Sequence, residues 1–167
     1  MTGAGSPHVV RPATAEDWPA MWSIIAAVIA RGDSYTLDPQ TPEAEAREYW
    51  TGPGVATYVM EMDGEIVGTY ALRANQRGLG SHVANAGYMV RPGRFGRGIG
   101  ALLCEHSLVE ARAAGFEAMQ FNAVVSTNVR AVALWQRLGF AIVGTVPRAF
   151  RHLELGYVDL HVMHRFL

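Results

Sequence analysis

The stretch Asn85-Ala-Gly-Tyr-Met-Val90-Arg-Pro-Gly-Arg-Phe-Gly-Arg-Gly-Ile-Gly100-Ala-Leu-Leu103 decides the fold. An apolar strand, Val83 to Val90, passes through a Gly/Arg loop, Arg91 to Gly100. The loop enters a segment with Ile99, Leu102, Leu103, Val109 and Ala113 at helical spacing, and Gly115 ends it. A strand followed by a glycine-rich loop that opens a helix is a device for holding phosphate. Glycine lets the backbone approach closely, and the helix start offers unpaired N–H groups and the positive end of its dipole. A P-loop is excluded, because no Gly-Lys-Ser/Thr follows. Gly96-x-Gly98-x-x-Ala101 matches the dinucleotide fingerprint literally, but its context does not. That fingerprint opens a parallel βαβ series and needs an acid closing the second strand. Here a hairpin and two helices come first, and no acid lies between Phe121 and Val125.

Upstream, His8 to Pro12 reads as a short strand. Thr14-Ala-Glu-Asp17 caps a helix that runs to about Arg31 and stops at Gly32. Thr41-Pro42-Glu43 opens a second helix, which ends near Trp50. Val55 to Met62 and Glu65 to Leu72 flank Asp63-Gly64, a two-residue hairpin signal. Downstream, Ala118 to Val125 is apolar on both faces, as in a covered strand. Asn128 to Leu138 reads as a helix closed by Gly139. Strands at about Ala141 to Val146 and Tyr157 to Phe166 finish the chain. The order β-α-α-β-β-β-α-β-α-β-β predicts an α/β (α+β) fold, a mixed sheet with helices on both faces.

The 167 residues suit one domain over 8–167, behind a flexible tail over 1–7. The 17% charged share and half-hydrophobic composition describe a globule rather than a disordered chain. A net charge of −1 offers no electrostatic case for nucleic acid or a membrane surface. All 14 basic residues are Arg, which removes Schiff-base lysine chemistry. The single Cys104 excludes an intrachain disulfide and multi-cysteine zinc sites, and its helical spacing reads as core filler. No metal pattern joins the six His: His161 and His164 point to opposite faces of a strand, and His106 reads as surface. No apolar run spans a bilayer and residues 1–7 lack a signal-peptide pattern, so a cytoplasmic protein is expected.

The Asn85 to Leu103 stretch resembles the acyl-CoA-binding core of the GNAT N-acetyltransferase superfamily, whose pattern is Arg/Gln-x-x-Gly-x-Gly/Ala after a strand. Asn128-x-x-Ala131-x-x-Leu134-Trp135-x-x-Leu138-Gly139-Phe140 resembles the family's second signature. The opening Val10-Arg-Pro-Ala-Thr-Ala-Glu-Asp17 and the ending Tyr157-Val-Asp-Leu-His-Val-Met163 are similar too, so the likeness covers about residues 8–167. The resemblance implies a mostly antiparallel sheet with a parallel, splayed central strand pair, and acetyl-CoA as cofactor in the gap. It implies that Met89 and Val90 close the strand along which the pantetheine arm lies. The N–H groups of Gly96, Arg97, Gly98, Ile99, Gly100 and Ala101 would grip the pyrophosphate, Asn128 would bond the cofactor, and Ala131 would leave room for it. Arg91, Arg94 and Arg97 stay open between phosphate contacts and an ordinary solvated loop, and Asn128 also reads as a helix cap.

Three positions depart from the family pattern. Phe95 stands where Arg or Gln opens the loop motif, with Arg94 one place early. Asn85 stands where many relatives carry a Glu general base, and Trp135 where a Tyr protonates the leaving thiolate. An amide has no useful basicity, and an indole does not transfer its proton. A thiol of pKa about 8.5 leaves tolerably as thiolate, whereas an alkylamine of pKa about 10.4 is only about 0.1% neutral near pH 7.4. The expected acceptor is therefore an amine of lowered basicity, or one deprotonated through water, with Glu61 and His82 as candidates for a displaced base. Asn85 and Asn122, in neighbouring strands, read either as one polar pocket that positions the reacting groups or as two satisfied structural amides. The pair looks similar to a GNAT subgroup that acetylates proline-like and other small amino compounds. Ser34-Tyr35-Thr36 looks like the phosphinothricin acetyltransferase branch, in which that loop shapes the acceptor site. Tyr35, Arg151, Phe150 and His152 are candidate acceptor contacts. The resulting expectation is an N-acetyltransferase acting on a small-molecule amine, with a homodimer as an open expectation of the resemblance. A protein N-acetyltransferase and a catalytically silent CoA-binding module are the rivals.

Overall fold

The computed structural model describes residues 8–167, so the tail expected over 1–7 lies outside the described residues. Seven strands and four helices follow the predicted order: β1 (His8–Pro12), α1 (Trp18–Ile29), α2 (Glu43–Thr51), β2 (Ala56–Met62), β3 (Glu65–Ala74), β4 (Val83–Val90), α3 (Ile99–Ala113), β5 (Ala118–Val125), α4 (Val129–Arg137), β6 (Ala141–His152) and β7 (Gly156–Phe166). The strands form one sheet in the order β1-β2-β3-β4-β5-β7-β6. Every pairing is antiparallel except β4 with β5. The Asp63-Gly64 turn has φ of 54° and 77°, the left-handed pair that a twisted two-residue hairpin requires.

Alternation along β3 and β4 assigns the two faces. Tyr70, Leu72, Ala84 and Ala86 pack under Ile99, Leu103, Cys104 and Leu108 of α3 and Trp135 of α4. Ala71 and Met89 point the other way, into a core with Met21, Ile24 and Ile25 of α1 and Trp50 of α2. Trp50 also ties α2 to the sheet through its indole N–H, 3.1 Å from Thr69 Oγ1.

Three details differ from the sequence reading. Strand β6 reaches His152 rather than ending at Val146. Pro147 reads as a stop because it cannot donate to a ladder, but an irregularity between Val146 and Phe150 absorbs it. Arg148, at φ 51°, gives its N–H to Asp159 Oδ1 at 2.9 Å there. On α3, Val109 is exposed and the buried stripe runs instead through Ile99, Leu103, Cys104, Ser107, Leu108 and Ala111. His106 is half-buried, with Nδ1 2.8 Å from the Tyr70 hydroxyl, rather than free on the surface.

Candidate functional site

The parallel ladder between β4 and β5 comprises only Val83↔Ala118 and Ala84↔Met119. Both strands continue for several residues beyond it, so they diverge from that vertex. Asn75 N donates to Val83 O and Arg91 N to Val67 O, which turns the main-chain groups of odd-numbered β4 residues toward β3. The groups of Ala86, Tyr88 and Val90 therefore face the gap, while those of Met89 belong to the β3 ladder.

Asn85 sits at the vertex. Its Nδ2 donates to the Gln120 carbonyl at 2.9 Å, where the next main-chain bond of the ladder would lie. Asn85, Gly87 and Met89 share the face that carries α1 and α2. On the same face, Gln120 Nε2 donates to Asn122 Oδ1 (2.9 Å) and Asn122 Nδ2 to Asn75 Oδ1 (2.6 Å). Asn85 and Asn122 thus belong to one group of amides linked through Gln120. Both are hydrogen-bonded, and Asn122 is exposed.

Tyr35, in the loop after α1, reaches over β4 and donates to the Tyr88 carbonyl at 2.9 Å. A Cβ at Gly87 would lie 3.0 Å from the Tyr35 hydroxyl, so glycine is what permits this approach. The same loop meets the β6–β7 hairpin, where Leu153 N donates to Gly32 O at 3.1 Å. Burial pushes the Tyr35 and Tyr88 phenols well above their ordinary pKa, so both remain protonated near neutral pH. Glu61 is 2.7 Å from Arg11 Nε in an ion pair at the β1–β2 edge, and His82 is exposed just ahead of β4.

At the far end of β4, the N–H groups from Phe95 to Ala101 donate to no backbone or side-chain acceptor among the described residues. The neighbouring bonds are Arg94 N to Arg91 O and Leu102 N to Gly98 O. Gly96 and Gly98 have φ of 82° and 76°, with open space where a Cβ would stand. This is a cradle of donors at a helix start, and its chemistry fits a pyrophosphate. The arginines divide there. Arg91 is held by the Ile66 carbonyl (Nε, 2.9 Å) and by Glu65, and Arg94 is ion-paired with the same Glu65. Arg97 is exposed. Phe95 is about half exposed, with the Arg31 guanidinium 5.7 Å from its ring centre.

Asn128 caps α4, its Oδ1 accepting from Ala131 N at 3.3 Å. Trp135 is buried, with its ring 5.1 Å from that of Tyr88 and 5.0 Å from that of Phe121. Cys104 is buried, and burial pushes its thiol up to about 11, as suits core filler. Arg151 is exposed on the final hairpin, where it pairs in register with Tyr157, while Phe150 and His152 are buried. Among the described residues no cluster of three or more His, Cys, Asp or Glu could hold a metal. No helix there is long and apolar enough to cross a membrane.

Arg73, Asn75, Gln120 and Tyr49 escaped the sequence reading. Arg73 lies opposite Asn85 in the β3–β4 register. A lone charged residue near the end of the apolar run Ile66 to Leu72 was the available signal, and only the register gives it meaning.

Residues 22–140 match the model of the Acetyltransferase (GNAT) family. The chain is 44% identical to a GCN5-related N-acetyltransferase from Kribbella flavida, covering 96% of this chain and 98% of that one, with a TM-score of 0.91. It is 28% identical over 151 residues to the N-acetyltransferase aca1 of Schizosaccharomyces pombe, 80% of this chain and 72% of that protein. A GNAT superfamily phosphinothricin acetyltransferase from Sinorhizobium meliloti, solved in complex with AcCoA, shares the fold at 22% identity and a TM-score of 0.84, over 96% of this chain and 88% of that one.

Proposed function

Since this chain belongs to the GNAT acetyltransferase family and is an acyl-CoA-dependent acetyltransferase, we propose that it acetylates the amine of a small molecule or amino acid analogue by direct attack, without a side-chain general base. The observation that carries this reading is the vertex, where an amide occupies the position of the family's usual carboxylate and no acid or base among the described residues is hydrogen-bonded into the cluster.

Acetyl-CoA, when bound, supplies the acetyl group as a thioester. The N–H groups of Gly96 to Ala101 hold its pyrophosphate, and the free main-chain groups of Val90 hold its arm in the gap. Asn128 bonds it from the start of α4, and Ala131 leaves room beside it. Asn85 has spent one N–H on Gln120, which fixes its orientation and leaves Oδ1 to accept a hydrogen from the acceptor amine. Asn122, steadied by Gln120 and Asn75, completes the polar wall. Tyr35 and the β6–β7 hairpin with Arg151 bound the acceptor side. Trp135 transfers no proton, so the sulfur would leave as the thiolate, which a thiol of pKa about 8.5 tolerates, and the proton shed by the attacking nitrogen would pass to that thiolate or to water. Positioning of the reactants then supplies most of the acceleration, on the order of several kcal/mol.

The contact between Leu153 and Gly32 supports a small acceptor over a protein tail, because it closes one end of the acceptor face. Calorimetric titration with acetyl-CoA, followed by thiol release across amino acids, polyamines and peptides, tests the reading. Turnover of small amino compounds supports it. Acetylation confined to peptides would transfer the assignment to a protein N-acetyltransferase, and binding with silence across the panel would leave a CoA-binding module.

A further inference from the structure

Arg73 Nε is the one buried side-chain nitrogen or oxygen without a hydrogen-bond partner among the described residues. Arg11, Arg31, Arg91 and Arg94 all have carboxylate partners, and no acid among the described residues lies within ion-pair distance of Arg73. Its guanidinium lies 4.7 Å from the ring centre of Tyr49, which holds the plane in place without neutralising it. Arg73 is half-buried, and its Nε is sealed from water without an acceptor, so an anion that reaches the guanidinium and completes that donor would be favoured.

Its position says which molecule brings that anion. Arg73 and Asn85 are cross-strand partners, so their side chains stand together on the α1/α2 face. Asn75, two residues further along the same face, is bonded to Asn122. The pyrophosphate cradle begins beyond Val90, five residues along β4 from Asn85, or roughly 17 Å at the usual strand rise. The phosphates at the cradle therefore cannot satisfy Arg73, whereas a group on an acceptor whose nitrogen meets Asn85 can.

We infer that Arg73 binds the carboxylate of the acceptor, making the preferred substrates amines that carry a carboxylate close to the reacting nitrogen. A planar guanidinium matches a carboxylate through two parallel bonds, which a lysine could not reproduce. This rests on the proposed function insofar as the acceptor is a small amine approaching the vertex from the α1/α2 face.

The test uses matched pairs: L-leucine with 3-methylbutylamine, L-phenylalanine with 2-phenylethylamine, and L-proline with pyrrolidine. The wild type is expected to favour the acid of a pair in kcat/KM. In Arg73→Met that preference falls by about ten- to hundredfold, mainly through KM, and Arg73→Lys retains part of it. An acetyl-CoA titration checks that each variant is folded. A wild type that favours the amine, or an unaltered preference in folded Arg73→Met, would overturn the inference. Saturation-transfer NMR of the same acids on the CoA-loaded protein separates this failure from failure of the catalytic reading. Acids that bind the wild type but not Arg73→Met uphold the site even without turnover. Acids that bind neither protein, or both equally, remove it.

Discussion

The side-chain amide of Asn85 donates to the main-chain carbonyl of Gln120 at 2.9 Å, one register step beyond the last parallel pair, Ala84↔Met119. One residue therefore closes the vertex of the gap and lines it. Asn85→Ala leaves that carbonyl without its donor and is expected to cost about 1–3 kcal/mol of stability. It should also lower kcat/KM by about ten- to a hundredfold, as an amine-orienting contact is lost. Asn85→Asp should recover part of that stability near neutral pH, because its ionised carboxylate has no hydrogen to give the carbonyl but stands opposite the Arg73 guanidinium. In an Arg73→Met background the same substitution should cost at least as much as Asn85→Ala. Thermal unfolding of the single and double variants reads both effects. An Asn85→Ala variant as stable as the wild type would deny Asn85 its bond.

Gly98 has φ of 76° with nothing within 4 Å of where a Cβ would stand, so substitution there acts through backbone strain alone. Gly98→Ala should cost about 1–2 kcal/mol if the loop keeps its shape. A relaxed loop would avoid that cost but misdirect the donors of Arg97 to Ala101. Either way, the acetyl-CoA dissociation constant should rise by about tenfold or more in calorimetry. Gly93→Ala, also in open space but before the cradle, is the control and should affect binding much less.

With no carboxylate or imidazole in the amide cluster, kcat/KM should follow deprotonation of the acceptor amine itself. The rise should move with the amine's own pKa when acceptors of different basicity are compared, and Glu61→Gln and His82→Ala should leave the inflection in place. A profile with one fixed inflection for all acceptors, abolished in either variant, would identify a displaced base.

Much of this molecule can be read from its sequence, for local reasons. Asp63-Gly64, Thr41-Pro42-Glu43 and Gly139 each encode a turn, a helix start or a helix end through their own backbone preferences, and the loop Arg91 to Gly100 carries its donors in its glycine pattern. The sheet keeps Asn85 and Asn122 on one side, which their placement in neighbouring strands alone left open. Long-range pairing hides the rest. Nothing near Arg94 in sequence announces Glu65, which reaches it from the start of β3, beside the end of β4. Arg73 becomes informative only when antiparallel register sets it against Asn85. Strand β6 extends past Pro147 because β7 continues to pair with it on the far side of the irregularity.

Acid stability tests the strongest ion pair away from the site. Asp17 accepts from Arg11 Nη1 at 2.7 Å, from Arg11 Nη2 at 2.9 Å and from Thr14 N at 2.8 Å. The Arg11 bonds are the main cause that lowers its carboxyl from 3.8 to about 2. A folded-state pKa below the unfolded value means that the stabilisation is fully present above about pH 4 and disappears as the pH falls through about 2. A shift of this size corresponds to at most about 2 kcal/mol, and the one-third exposure of Arg11 reduces it to about 1–2 kcal/mol by solvent screening. Arg11→Met should therefore lose about 1–2 kcal/mol near pH 7 in urea unfolding, and the gap to wild type should narrow between about pH 4 and pH 2. A gap of constant size down to the acid limit would instead assign the loss to packing of the arginine stem against the β1–β2 edge.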